Sequence, residues 1–237
     1  MYAIILAGGQ GSRLRPYTTV LPKPLMPVGD GPIIELLIKQ LRSHQFSKID
    51  ISVGYLSGLI ESYCGNGNQW NCKINYIHEK KPLGTSGAIK LVKDKKNSFL
   101  VTNGDVLTDI DFKKLFNQHK KSGNILTVAV FNKKIKHKLG VINIDDYNCI
   151  KEYKEKPTSN FLVSMGIYCC SPKILDIIPK NKKFDLPDLV HKLIQNNLPV
   201  GTYHHKGKWL DIGNHEDYEI AQKNYNSLKK SIFGNGN

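Results

Sequence analysis

The sequence predicts an α/β fold with a mixed, mostly parallel central sheet, helices on both faces and a small antiparallel layer. Three observations carry this expectation. Short apolar runs alternate with amphipathic helix-length segments through the first half of the chain. Strand-like runs then crowd together between about Ile125 and Cys170 with little helical pattern among them. Polar, glycine- or carboxylate-bearing loops sit beside or just past the apolar runs, where α/β sheets bind their ligands.

In chain order, the isoleucine-rich run Tyr2 to Ala7 reads as a buried strand that stops where glycines begin. The amphipathic segment Ile33 to His44 follows as a helix, then strand Lys48 to Val53, helix Ser57 to Cys64 and strand Ile74 to His78. Next come helix Gly87 to Val92, strand Ser98 to Val101 and helix Phe112 to Lys121, with Asp109 and Asp111 read chiefly as the cap that opens it. The crowded strands are Ile125 to Phe131, Gly140 to Ile144 and Phe161 to Cys170. Helices Lys173 to Ile178, Leu186 to Asn196 and His215 to Leu228 complete the list, with strand Gly201 to His204 between the last two. One domain over residues 1–230 is expected, with a disordered tail at 231–237.

Composition narrows the function. The 237 residues carry a net charge of +14, yet 31 of the 34 basic residues are lysines, since only Arg13, Arg15 and Arg42 are arginines. These lysines are spread along the chain, whereas a nucleic-acid surface clusters its charge, reads bases with arginine and interleaves aromatics. A solvated lysine surface, with no nucleic acid as partner, is the reading. No apolar stretch approaches membrane-span length and the start lacks a signal-peptide pattern, so no membrane partner and a cytoplasmic location are expected. The five cysteines, Cys64, Cys72, Cys149, Cys169 and Cys170, form no CxxC pair and no zinc-like spacing with histidine, and are read as reduced bystanders.

The first functional stretch is LAGGQGSRLRP, Leu6 to Pro16. Gly8, Gly9 and Gly11 let the backbone approach a ligand without a Cβ in the way, and consecutive amides in such a loop form an anion-binding concavity. Arg13 adds a rigid fork of donors suited to phosphate oxygens. Lys23, between Pro22 and Pro24, sits on a stiff backbone that can aim its ammonium. The stretch is neither GxxxxGK[ST] nor GxGxxG. In VTNGDVLTDID an apolar strand delivers Asn103, Gly104 and Asp105 to its carboxyl end, where an aspartate facing a phosphate loop fits Mg2+. Asp211, in GKWLDIGN, could supply a second carboxylate from the far end of the chain. Gly84, Thr85, Ser86 and Gly87 offer hydroxyls and open backbone before a helix, and Glu155 and Lys156 precede Pro157 in a charged segment that alone reads as a surface hairpin.

Taken together, AIILAGGQGSRLRPYT, PKPLMPVGDGPII, PLGTSGA, NGD, GVI, EKP and WLDIG, in this order, resemble the sugar-1-phosphate nucleotidyltransferases over nearly the whole chain. The resemblance implies a Rossmann-like fold and a role for each matching position. Leu6, Ala7, Gly8, Gly9, Gly11, Ser12 and Arg13 match the loop that wraps the nucleotide, Ser12 standing where threonine is commoner. Lys23 matches the lysine at the reacting centre. Leu83, Gly84, Thr85 and Gly87 match the base-recognition segment, with Asn103 and Gly104 beside the nucleotide. Asp105 and Asp211 match the magnesium aspartates. Gly140, Glu155, Lys156, Gly166 and Tyr168 match the sugar and sugar-phosphate side. The implied catalytic set is Arg13, Lys23 and Asp105, and the implied partners are a nucleoside triphosphate and a sugar 1-phosphate, with a homodimer as the assembly. GTP is the favoured donor because PLGTSGA looks most like the guanylyltransferase segments. Uridylyl or thymidylyl transfer remains open, as does a glycosyltransferase using Asp109 and Asp111 as a DxD metal motif.

Overall fold

The computed structural model describes residues 1–79, 81, 83–92 and 96–234. Its strands are β1 (Tyr2–Ala7), β2 (Pro27–Val28), β3 (Gly31–Pro32), β4 (Lys48–Val53), β5 (Lys73–His78), β6 (Phe99–Asn103), β7 (Val106–Thr108), β8 (Leu126–Lys136), β9 (Val141–Ile144), β10 (Ile150–Lys154), β11 (Thr158–Cys170), β12 (Val200–His205) and β13 (Trp209–Asp211). The helices are α1 (Ile33–Ser43), α2 (Ser57–Cys64), α3 (Gly84–Ile89), α4 (Phe112–Ser122), α5 (Ile174–Ile177), α6 (Leu186–Gln195) and α7 (His215–Phe233).

Seven strands form the central sheet in the order β12-β8-β11-β6-β1-β4-β5. Only β11 runs against its neighbours, so the expected mixed, mostly parallel sheet is present. Strand alternation divides the core between the two faces. Ala3, Ile5 and Ala7 of β1 pack with α1 and α4 on one side, while Tyr2 and Ile4 pack with α6 on the other. A third apolar cluster lies outside the sheet, where Ala221, Tyr225 and Leu228 of α7 cover Leu14, Met26, Val28 and Ile212. The small antiparallel layer is the hairpin of β9 and β10.

Local pattern misplaced some boundaries. α3 starts at Gly84, three residues before the expected Gly87, because Thr85 N–H donates to Asp185 Oδ1 at 3.0 Å and Ser86 and Gly87 donate to Phe184 O, caps supplied from a hundred residues away. α7 runs to Phe233 rather than Leu228, since Ile232 and Phe233 pack against its apolar cluster. Residues 231–233 of the expected tail are therefore helical, and 235–237 lie outside the described residues. β2, β3, β7, β10 and β13 lie outside the expected strands. No helix among the described residues is long and apolar enough to cross a membrane.

The topology leaves one consequence for function. β1, β4, β5 and β6 are adjacent and parallel, so their carboxyl ends open side by side at one rim of the sheet.

Candidate active site

A cleft of about 760 Å³ occupies that rim, and each of the four parallel strands empties into it. β1 contributes Leu6 to Arg13, β4 contributes Ser52, Gly54 and Tyr55, β5 contributes Glu79, and β6 contributes Asn103, Gly104 and Asp105. The strand ends approach so closely that a Cβ on Gly54 would stand 2.9 Å from the Gly8 carbonyl oxygen. Gly11, at φ +61, turns the chain into a short 3-10 turn, Ser12–Leu14, that presents Arg13. The Thr18 hydroxyl donates to Gly11 O at 2.9 Å and fixes that turn. From the C-terminal side, α7 holds both this loop and β2: His215 Nε2 bonds Arg15 O at 2.8 Å, and Tyr218 and Gln222 donate to Pro27 O at 2.6 and 2.9 Å.

At the floor, the Lys23 ammonium pairs with Asp105 Oδ2, and the lysine itself is buried. The other oxygen, Asp105 Oδ1, is buried with no hydrogen-bond partner among the described residues. Asp211 stands beside it because β13 pairs with β7, with Asp211 opposite Val106 and Ile212 N–H donating to Asp105 O at 3.2 Å. Burial and the neighbouring Asp105 carboxylate push Asp211 above the usual carboxylate range, with Lys23 and Arg13 pulling the other way. Two carboxylates are held together, one with an oxygen that no donor among the described residues satisfies. Such a pair is the donor set magnesium takes alongside phosphate oxygens and water.

That shift has a sign. A carboxyl whose folded pKa is raised is bound more tightly by protons in the native state, so native stability falls as pH rises through the carboxylate range. Asp211→Asn, measured without divalent cations, should therefore melt higher than the wild type at neutral pH, the gap closing in acid. Added Mg2+ should raise the wild-type melting temperature and leave the variant's nearly unmoved; equal shifts in both would remove Asp211 from any cation site.

Asp109 and Asp111 do other work. Asp111 caps α4, accepting from Lys114 N–H at 2.8 Å, as expected. Asp109 is not a cap: its Oδ1 accepts from Lys208 N–H at 2.7 Å and from His205 Nε2 at 2.9 Å, while Thr108 Oγ1 donates to Lys208 O at 2.7 Å. Gly207 is bare where a Cβ would strike that carboxylate. Asp109 thus fixes the turn that leads into β13 and Asp211, and neither carboxylate is placed as a DxD ligand. Asp109→Ala removes two hydrogen bonds to a charged carboxylate that hold this turn and should cost about 1–3 kcal/mol in denaturant unfolding.

The segment Leu83 to Gly87 forms one wall, braced from behind. Phe184 N–H donates to Leu83 O at 2.8 Å, and the Thr85 hydroxyl accepts from Leu186 N–H at 2.8 Å while reaching Asp185 Oδ1 at 3.4 Å. The Thr85 hydroxyl is therefore occupied in holding this wall. Gly84 and Thr85 line the cleft; Leu83 and Gly87 support them, a Cβ on Gly87 falling 2.6 Å from that of Leu83.

Sequence reasoning missed Glu79, Lys81, Ser52 and Asp185, all of which line the cleft. Glu79 Oε1 accepts from the Ser52 hydroxyl at 2.8 Å and Oε2 from Leu83 N–H at 3.0 Å, so its carboxylate is fixed at the end of β5. The available signal was position: Glu79 follows a strand, like the residues that were found.

The five residues matched to the sugar side are placed apart. Gly140, Glu155 and Lys156 belong to the region of the β9–β10 hairpin, where Tyr153 packs against Gly140 and donates its hydroxyl to Glu155 Oε2 at 2.8 Å, and Lys156 lies 3.5 Å from Glu155. Gly166, at φ +73 in an irregular stretch of β11, abuts the Asn103 amide. Tyr168 is buried in the core, its hydroxyl 3.0 Å from Ser164 Oγ. None of these five lines the cleft.

Comparison with known proteins agrees with this picture. A family model described as nucleotidyl transferase matches residues 2–227. The UTP--glucose-1-phosphate uridylyltransferase of Synechocystis sp. is 34% identical over 238 residues, covering 92% of this chain and 61% of that protein. The chain thus spans about three fifths of that relative's length. The D-glycero-alpha-D-manno-heptose 1-phosphate guanylyltransferase of Aneurinibacillus thermoaerophilus is 33% identical over 227 residues, covering 94% of this chain and 97% of that one. The structure of HddC from Yersinia pseudotuberculosis complexed with GMP-PN superimposes with a TM-score of 0.71 at 26% identity, over 94% of this chain and 99% of that one.

Proposed function

The chain belongs to the nucleotidyl transferase family, and from that premise we propose that it transfers a nucleoside monophosphate, GMP by preference, from a triphosphate to a sugar 1-phosphate, releasing pyrophosphate. The observation that carries the reaction is the floor of the cleft: Asp105, paired with Lys23 through one oxygen and orphaned at the other, beside Asp211 and beneath a glycine loop that ends in Arg13.

In this reading a phosphate oxygen of the sugar 1-phosphate attacks the α-phosphorus in line. No protein base is needed, because a phosphate dianion is already a nucleophile. The open amides around Gly8, Gly9 and Gly11 and the Arg13 guanidinium bind the triphosphate and meet charge that builds on it. Lys23, with its stem buried, presents a cation where the two phosphates must approach each other. Glu155 and Lys156 are assigned to the sugar hydroxyls and the sugar phosphate, and Gly166 to the sugar's approach past Asn103. Asp105 and Asp211 would hold magnesium, which when bound neutralises triphosphate and pyrophosphate charge.

The preference for guanine rests on Glu79. Its carboxylate can only accept hydrogen bonds, and each oxygen already engaged keeps a lone pair. Guanine offers two adjacent donors on its Watson–Crick edge, N1–H and the N2 amino group. Uracil and thymine offer one, flanked by carbonyls that a carboxylate repels. Near full-length similarity to a heptose 1-phosphate guanylyltransferase supports the same choice.

The direct test is pyrophosphate release from GTP, UTP, dTTP, CTP and ATP, each with Mg2+ and a panel of hexose, hexosamine and heptose 1-phosphates. Release with GTP and one sugar establishes the reaction and the base together. Release with UTP or dTTP alone keeps the reaction and discards the base. Hydrolysis or transfer of a finished nucleotide sugar, without pyrophosphate release from any pair, would replace the reading with a glycosyltransferase.

A further inference from the structure

Asp211 reaches Asp105 on a short support. It ends β13, whose three residues pair with the three of β7 in a two-stranded ribbon separate from the central sheet. A ribbon of that size is marginal by itself. Its load is unfavourable as well, since two carboxylates side by side repel each other and the repulsion pushes β13 away from β7. One end of β13 is held where Ile212 N–H donates to Asp105 O. The other end is held at Lys208, one residue before the strand begins.

The Lys208 main chain is gripped on both of its polar groups. Its N–H donates to Asp109 Oδ1 at 2.7 Å, and its carbonyl oxygen accepts from the Thr108 hydroxyl at 2.7 Å and from Asp109 N–H at 3.2 Å. All three contacts come from the β7 side of the ribbon, so they cannot fix the ribbon against the rest of the molecule. His205 supplies that link. It ends β12, the edge strand of the central sheet, with Phe131 of β8 as its register partner. Its Nε2 lies 2.9 Å from Asp109 Oδ1 and 3.2 Å from Lys208 O. Both are acceptors, so Nε2 carries the hydrogen and shares it between them. Gly207 leaves room for the meeting: a Cβ there would stand 2.2 Å from Asp109 Oδ1 and 2.8 Å from His205 Cε1. Trp209 packs on Phe131 and donates Nε1–H to Met165 O at 3.1 Å, which seats the first residue of β13 but leaves the preceding turn to His205.

Loss of the imidazole would strand none of these groups. Asp109 Oδ1 would keep Lys208 N–H, and Lys208 O would keep the Thr108 hydroxyl and Asp109 N–H. What would go is the tie between the turn and the sheet.

We propose that His205 is a positioning residue for the cation pair: acting through Asp109 and Lys208, it holds β13 so that Asp211 faces Asp105 before a divalent cation arrives. This rests on the reading of Asp105 and Asp211 as the magnesium carboxylates. Without the tie, Asp211 relaxes away from Asp105 in the cation-free protein, and the cation must draw it back at the expense of affinity.

The experiment compares the full chain with His205→Leu, which has no donor, and His205→Gln, which keeps an N–H of similar reach. Mg2+ alone is titrated against melting temperature, and Mg2+ is then varied in pyrophosphate release with the best triphosphate and sugar pair. For His205→Leu the Mg2+ midpoint should rise roughly tenfold in both assays, the size of effect that groups supporting metal ligands have, while kcat at saturating Mg2+ changes little. His205→Gln should stay close to the wild type. Gly207→Ala, which wedges Asp109 and His205 apart without removing either, should copy the leucine variant and carries the test if that variant does not fold. A lower melting temperature without Mg2+ but an unmoved Mg2+ midpoint would make His205 merely structural and overturn the proposal. Equal midpoint shifts for leucine and glutamine would overturn it too, because the donor would then not matter. A wild type that ignores Mg2+ in both assays would overturn the magnesium reading and this proposal with it.

Discussion

Asp105→Asn is expected to lower pyrophosphate release by on the order of 10³-fold or more, with the fold intact. The substitution is nearly isosteric. The amide oxygen still accepts from the Lys23 ammonium, so the buried lysine keeps a hydrogen-bond partner although it loses its counter-charge. What disappears is the negative charge on a buried oxygen with no hydrogen-bond partner among the described residues. Oδ1 itself makes no structural contact, while the carboxylate's charge, shared over both oxygens, also neutralises the buried Lys23. Removal of that charge also relieves Asp211, whose raised proton affinity comes first from burial and then from Asp105. The variant should accordingly lose the rise in melting temperature on adding Mg2+ together with its activity. Turnover within tenfold of the wild type, measured with the best triphosphate and sugar pair, would remove Asp105 from the reaction. Loss of the near-native circular dichroism spectrum would show instead that the Lys23–Asp105 pair is chiefly structural.

Glu79→Gln should change which base is used. The amide can orient its oxygen toward Leu83 N–H, which cannot turn away, and its amino group toward the Ser52 hydroxyl, which can rotate to accept. The wall of the cleft therefore survives. The acceptor-only edge does not: one of its two oxygens becomes a donor, which opposes guanine's paired donors and suits the carbonyls of uracil. A paired contact to a base is worth about 1–3 kcal/mol of discrimination, so the ratio of kcat/KM for GTP to that for UTP should fall roughly 10- to 100-fold. An unchanged ratio, with both activities reduced alike, would place Glu79 among the residues that brace Leu83 and away from the base.

Both experiments address residues that the sequence revealed unequally. Asp105 was legible because its surroundings are local: an apolar strand, then Asn103, Gly104 and an aspartate, a pattern that places a carboxylate at a strand tip whatever the rest of the chain does. The glycine loop was legible for the same reason. Glu79 sits in a charged stretch where its place directly after a strand is a weak signal, and its fixed bonds to Ser52 and Leu83 single it out. Asp109 and Asp111 looked alike, two residues apart before a helix. One caps that helix, and the other fixes a turn almost a hundred residues away.

The sequence by itself determined the alternation of strands and helices, the strand-end position of the glycine loop, and the choice of Arg13, Lys23, Asp105 and Asp211 as candidate site residues. These follow from apolar periodicity, from what glycine permits and from the order of short motifs, all of which act over a few residues. Tertiary structure alone decided that Asp211 stands beside Asp105, through a three-residue ladder of β13 on β7. It also decided that Asp185 and Phe184 start α3 and that α7 continues to Phe233. A three-residue strand or a six-residue helix has too little stabilisation of its own to be written in its own pattern. It exists because distant segments supply its hydrogen bonds, and that information is spread over the whole chain.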